Sequence, residues 1–138
     1  MTNVNSTGTT VLEHLRTLDT ATLFESGARA TMGPEIRMLS GECRLAGPTL
    51  TVACPPGDNL MIHVAVARAP SGAVLVAQSH DPAYGVWGEV LTVAAKARGI
   101  AGLVLDGSVR DLSAVRRLGF PVFARWTALP GTSGVGNP

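Results

Sequence analysis

The stretch V-L-D-G-S-V-R-D, Val104 to Asp111, closes an apolar run with Asp-Gly and then sets an arginine beside an aspartate. A guanidinium can clamp a carboxylate through two parallel hydrogen bonds. An aspartate can give an oxygen ligand to a hard divalent ion, or cap a helix that follows it. Upstream of Arg110, across a gap of about twenty residues, Gly88-Glu89 opens the apolar-periodic segment Glu89 to Arg98. Free amides and the dipole at a helix start attract carboxylate or phosphate, and a glycine there lets a ligand approach the backbone. Plainer readings stay open on these residues alone. Asp111 serves equally as a cap, Arg110-Asp111 as a surface pair, Gly88 as a loop residue and Glu89 as a favourable first-turn charge. If the two stretches follow consecutive strands of one βαβ-like unit, Glu89 and Arg110 face one crevice. That crevice would lie outside the carboxyl ends of the strands, where α/β sheets bind ligands.

Other combinations carry less. Ser79-His80-Asp81 has the letters of a catalytic triad, but triad members meet through the fold and not as sequence neighbours. His63 lies in an apolar helical segment and reads as a packed histidine rather than a ligand. No phosphate-cradling G-x-x-x-x-G-K or dinucleotide-binding glycine pattern is present, and no Cys/His spacing suits zinc. Cys43 and Cys54 read as two buried thiols of a reducing compartment rather than a disulfide. The only lysine, Lys96, is mid-helix and badly placed for Schiff-base chemistry.

The elements that must position these residues follow from periodicity. The first ten residues are polar and expected to fray. Leucines at 12, 15, 18 and 23 suggest one or two short helices. L-A-G-P-T-L-T-V-A-C, Leu45 to Cys54, holds a turn and a strand. Asp58 or Asn59 caps a helix from Leu60 to Ala69, with Leu60, Val64 and Ala67 on its inner face. Ala73 to Ala77 is a buried strand, Ser79 to Gly88 a loop, and Glu89 to Arg98 a helix stopped by Gly99. Ala101 to Leu105 is a buried strand followed by a tight turn at Asp106-Gly107. Asp111 to Leu118 is a short helix, Pro121 to Ala124 a strand, and the tail from Thr132 a loop. Strand, helix, strand, helix, strand predicts an α/β layer with a partly parallel sheet.

A chain of 138 residues suits one domain, able to bury roughly two-thirds of its unfolded surface. Apolar residues at 46% against 15% charged argue against global disorder. A formal charge of +1 gives no electrostatic footprint of nucleic-acid binding. No apolar run approaches the ~20 residues that cross a bilayer, and the N-terminus lacks a signal peptide's basic and apolar regions, so the expectation is a cytoplasmic protein.

W-G-E-V-L-T-V-A-A-K-A-R-G-I-A-G-L-V-L-D-G-S-V-R-D-L-S-A-V-R-R-L-G-F-P-V-F-A-R, Trp87 to Arg125, resembles the signature block of the RraA-like superfamily. That group includes regulators of ribonuclease activity A and class II pyruvate aldolases acting on 4-hydroxy-4-methyl-2-oxoglutarate and 4-carboxy-4-hydroxy-2-oxoadipate. C-P-P-G-D-N-L-M-I-H, Cys54 to His63, resembles the upstream segment of its aldolases, and the match runs over about residues 45 to 132. The resemblance implies a compact β/β/α domain of α/β class, assembled as a trimer or a hexamer with the site near a subunit interface. It implies that amides of Gly88, Glu89, Val90 and Leu91 hold a pyruvate carboxylate, and that Glu89 fills the acidic position ordering water about the metal. Arg110 then binds the keto acid and stabilises its enolate, and Asp111 ligates Mg²⁺ or Mn²⁺. The activity so implied is a divalent-metal-dependent lyase on a 2-oxo acid, by retro-aldol cleavage releasing pyruvate or by decarboxylation of oxaloacetate. The alternatives are a protein-binding regulator of a ribonuclease without catalysis, and a biosynthetic enzyme reusing the pocket without metal. Three features depart from the family pattern. The chain stops at Pro138, short of the family's further strands, which predicts altered or lost aldolase activity or an edge covered by another chain. Trp126 stands where glycine is common, and Glu89 is one methylene longer than the usual Asp.

Overall fold

In the computed structural model, which describes residues 11–40 and 44–132, the apolar runs of the second half become the centre of a six-stranded sheet. The elements in chain order are α1 (residues 11–15), α2 (Thr20–Glu25), β1 (Arg37–Met38), β2 (Thr49–Ala53) and α3 (Leu60–Arg68). They continue with β3 (Val74–Gln78), β4 (Gly85–Trp87), α4 (Glu89–Ala97), β5 (Gly102–Val109), α5 (Leu112–Arg117) and β6 (Val122–Thr127). The expected fraying of the first ten residues, Cys43 and the tail beyond Thr132 lie outside the described residues.

The strand order is β1-β6-β5-β3-β2, with β4 also paired to β5. Every pairing is parallel except that of β1 with β6, so the sheet is partly parallel in the α/β manner. Alternation divides its two faces. Leu75, Ala77, Leu103, Leu105, Val122 and Ala124 lie in register on one face, all buried. They pack under Ile62, Val66, Leu91, Ala95 and Val115 of α3, α4 and α5 in one core. Burial of each Val, Leu or Ile side chain among them contributes about 1.5–3 kcal/mol. Val76, Val104 and Phe123 lie on the opposite face, where α1, α2 and Met32 overlie them around a cavity of about 690 Å³.

Three local expectations are corrected. The inner face of α3 is Ile62, Ala65 and Val66; Leu60 is half exposed, and His63 is exposed rather than packed. Asp106-Gly107 is not a turn but the interior of β5, which runs eight residues. The Ser79–Gly88 loop holds a buried strand, β4. β3 leaves β5 at Asp106, whose carbonyl accepts the Ser79 and His80 amides at 3.0 and 3.1 Å, and β4 takes its place at Ser108. This substitution of one neighbour for another carries β5 to Val109 and delivers Arg110 at its end. No helix of the described residues is long and apolar enough to cross a membrane.

Candidate active site

Arg110 leaves β5 with its amide bonded to the Trp87 carbonyl at 2.8 Å, so the ends of β4 and β5 are locked together at the site. Its side chain lies on three glycines. A Cβ at Gly85 would stand 2.7 Å from Arg110 Cβ, one at Gly88 2.9 Å from Cγ, and one at Gly131 2.1 Å from Nη1. A real Cβ essentially never comes within 3.0 Å of a heavy atom outside its own residue and chain neighbours, so the arginine occupies the room that side chains at these glycines would fill. Gly85 and Gly131 reach that arrangement through an isolated parallel bridge, with the Gly85 amide donating to the Pro130 carbonyl at 2.8 Å.

Asp111 adopts a left-handed backbone, φ 53° and ψ 36°, at the N-cap position of α5. Aspartate tolerates this region better than most residues, yet it is a sparse conformation that the surroundings must enforce. The side chain makes no cap bond. It turns instead toward α4, where Oδ2 accepts the Glu89 amide at 3.3 Å and would lie 2.7 Å from a Cβ on Gly88. Arg110 Nε stands 3.4 Å from Asp111 Oδ2, with the two side chains 42% and 39% exposed. A pair so open and so long contributes about 0–1 kcal/mol, so it orients these groups more than it stabilises the fold.

Glu89, Arg110 and Asp111 therefore meet at one place: the start of α4 and the end of β5. Glu89 is exposed, and the Val90 and Leu91 amides belong to the same first turn, for which a helix offers no internal acceptor. Hard divalent cations take oxygen ligands, and Mg²⁺ keeps much of its water while binding one or two carboxylates. Asp111 fits that demand, being an exposed carboxylate turned out of the capping role. Among the described residues no three His, Cys, Asp or Glu side chains cluster. At this end of the sheet the carboxylates that could serve such an ion are those of Asp111 and Glu89.

The supports were not all evident in sequence. Trp87 is fully buried, stacks on Phe120 at 5.8 Å and donates from Nε1 to Thr92 Oγ1 at 2.8 Å. Thr92 in turn donates to the Gly88 carbonyl at 2.8 Å, fixing the glycine at the start of α4. Asn59 donates to the Val86 carbonyl and accepts from Thr132, both at 3.0 Å. The G-V-W-G spacing of Gly85 and Gly88 was the one local signal for this packing; Gly131 and Thr132 carried none.

The weaker candidates separate. His80, also at positive φ, pairs through Nδ1 with Asp106 Oδ2 at 3.0 Å and contacts Gln78. Ser79 Oγ is buried without a partner, and Asp81 accepts the Ala83 amide, so the three form no triad. Arg125 bridges Asp106 at 2.5 Å and Glu35 at 2.7 Å, and its guanidinium lies 5.0 Å over the Trp126 ring. Lys96 bonds the Leu118 carbonyl at the far end of α4, about 10 Å along the helix from Glu89. Cys54 is a free, buried thiol, its pKa raised by burial and partly lowered again by the Ile62 and Met61 amides. Two cavities, of about 480 and 690 Å³, lie against the opposite face of the sheet from α3–α5. At Arg110 and Asp111 the side chains are partly exposed, and the convergence of polar groups there weighs more than the volume of an apolar cavity.

A family model described as RraA-like, Aldolase/RraA, matches residues 9–137. A protein of Halalkalibacterium halodurans named "Putative 4-hydroxy-4-methyl-2-oxoglutarate aldolase" is 36% identical over 105 residues, 74% of this chain and 50% of its own length. The chain spans about half the length of the curated relatives it matches. Among solved structures, the RNA-processing inhibitor RraA from Thermus thermophilis superposes with a TM-score of 0.79 at 21% identity, covering 87% of this chain and 74% of that one. Streptomyces coelicolor RraAS2, described as an unusual member of the RNase ES inhibitor RraA family, gives 0.74 at 26% identity over 91% and 67%.

Proposed function

The chain belongs to the RraA-like family, and from that premise we propose that it is a divalent-metal-dependent lyase acting on a 2-oxo acid. The observation that carries the proposal is the convergence of Arg110 and Asp111 with the first turn of α4 around Gly88 and Glu89. In a 4-hydroxy-2-oxo acid, retro-aldol cleavage removes the C4 hydroxyl proton and breaks C3–C4. The electron pair passes through C3 to the C2 carbonyl oxygen, leaving a pyruvate enolate that takes a proton at C3. Oxaloacetate reaches the same enolate by losing CO₂ from C4. Charge thus develops on one oxygen beside a carboxylate, and a fixed guanidinium is matched to that pair. Arg110 would hold them, with the Val90 and Leu91 amides directed at the carboxylate. Glu89 would hold the water that carries protons to and from the substrate. Mg²⁺ or Mn²⁺ held by Asp111 would add positive charge where the enolate forms.

The outward sides of α3 and α4 carry exposed Leu60, Met61, Val90 and Val93, the last two 76% and 51% exposed. An apolar rim of this kind supports assembly into a homotrimer or hexamer with the site at its edge. The test is release of pyruvate from 4-hydroxy-4-methyl-2-oxoglutarate or oxaloacetate with Mg²⁺, and its loss in Arg110→Ala. No turnover with any divalent metal sinks the proposal. A second reading, a protein-binding regulator of a ribonuclease, is favoured by the likeness to the Streptomyces RNase ES inhibitor relative. Capture of an endoribonuclease by both the parent and Arg110→Ala, without lyase activity, would decide for it.

A further inference from the structure

Asn59 occupies the N-cap position of α3, where an asparagine ordinarily bonds the first amides of the helix. It makes no such bond, because Asp58 Oδ1 accepts the Leu60 amide at 2.7 Å instead. Its amide is thereby released for two other partners. Nδ2 donates to the carbonyl of Val86, within the Gly85–Gly88 segment, and Oδ1 accepts the hydroxyl of Thr132, next to Gly131. These are the two segments whose missing Cβ atoms admit Arg110: Gly85 and Gly88 beneath the stem, Gly131 against Nη1. We infer that Asn59, with Thr132, is a positioning residue that ties these segments together and so fixes the direction in which Arg110 presents its guanidinium.

The chemistry of the amide is specific to the task. Val86 offers an acceptor and Thr132 a donor, so the bridging group must both donate and accept. An aspartate would serve Thr132 and repel the Val86 carbonyl; a leucine would serve neither. The isolated parallel bridge of Gly85 with Gly131, which includes the Gly85 to Pro130 bond, already sets the separation of the segments. That bridge holds backbone to backbone at one point, and the Asn59 bridge adds a side-chain tie from α3 to each segment, at Val86 and at Thr132. The functional half of this inference rests on reading Arg110 as the substrate-binding arginine.

The experiment uses the full chain labelled with ¹⁵N. The Arg110 Nε–Hε signal is assigned by its disappearance in Arg110→Lys, and its heteronuclear NOE is measured with the Trp87 indole signal as an internal check of the fold. A rigid Arg110 Nε is expected in the parent and in Thr132→Ser, which keeps the hydroxyl. Thr132→Val and Asn59→Asp are expected to lose that rigidity while Trp87 stays ordered. Affinity for oxalate, a stable mimic of the enolate, measured with Mg²⁺, should fall about tenfold in Thr132→Val and recover in Thr132→Ser. Unchanged Arg110 order in Thr132→Val, or equal loss in Thr132→Ser, overturns the inference whatever binds. Oxalate affinity untouched by Arg110→Ala instead overturns the substrate-binding role of Arg110, a result independent of the NOE.

Discussion

Gly131→Ala tests the site with little disturbance of the fold. The added methyl would stand 2.1 Å from Arg110 Nη1 and 3.4 Å from Cζ, touching only the far end of a flexible side chain. Nη1 must retreat by about 1.3 Å to reach ordinary contact, and the arginine can do this by turning its outer torsions. Folding stability should then change by no more than about 0.5–1.5 kcal/mol, the range of an off-rotamer adjustment. The guanidinium, however, no longer meets a carboxylate along both N–H directions. Losing one charge-assisted hydrogen bond costs about 1.5–3 kcal/mol, or roughly 10- to 150-fold in kcat/KM. Gly85→Ala is the contrast, because its methyl would meet Arg110 Cβ at 2.7 Å and the Arg110 backbone nitrogen at 3.1 Å. Backbone cannot turn aside, so that variant should lose about 1–3 kcal/mol of stability by urea unfolding as β4 is pushed off β5. Pyruvate release and urea titration on both variants give the comparison. A Gly131→Ala protein of parental activity, or one as destabilised as Gly85→Ala, would refute the view that Arg110 depends on the room these glycines leave.

Three further outcomes are expected. Asp111→Asn keeps an oxygen for the Glu89 amide but removes the charge, so calorimetric titration should find Mg²⁺ binding weakened at least about tenfold with stability nearly unchanged; an unaltered titration argues against Asp111 as the ligand. Trp87→Phe keeps a ring against Phe120 but loses the bond to Thr92 Oγ1, and should cost about 1–3 kcal/mol in urea, with less than about 0.5 counting against the Trp87–Thr92–Gly88 chain as a support. Cys54 ionises late because of burial, so the folded chain binds that proton more tightly than the unfolded one. The stability this contributes is present below the ordinary thiol pKa and is lost as pH rises through the raised folded value; alkylation in a Cys43→Ser background should show a midpoint above that of a short cysteine peptide, and an equal or lower one contradicts it.

The alternation of the second half was legible because β3, α4 and β5 are bounded by strong punctuation at Ser71-Gly72 and Gly99. Asp106-Gly107 misled, and the reason is tertiary. The carboxylate that ordinarily favours a turn is instead paired with Arg125 and His80, while Ser79 Oγ occupies the space a Cβ on residue 107 would take. β4 escaped notice because three buried residues show no alternation. The face of α3 was ambiguous since L-M-I-H-V-A-V-A-R is apolar nearly all round, so periodicity alone could not select Ile62, Ala65 and Val66. At the site, residue types and spacing singled out Gly88-Glu89 and Arg110-Asp111, whose convergence needed only a βαβ unit. The Asn59–Thr132 bond spans 73 positions and Gly131 meets Arg110 only through the fold, contacts that no local pattern announces.

Because β3 and β4 dock in turn on the same strand, the excursion between them begins and ends on one rigid rail. Its length is therefore decoupled from the geometry of Arg110. Residues added after Ala83, beyond the Pro82 carbonyl that accepts the Ser108 hydroxyl and the Ala83 amide held by Asp81, would cost chiefly the slowly growing entropy of a longer closed loop. That makes this tip the natural port for grafting: a peptide, a tag or a substrate-covering flap inserted there would ride beside the crevice while the strand beneath keeps the arginine in register.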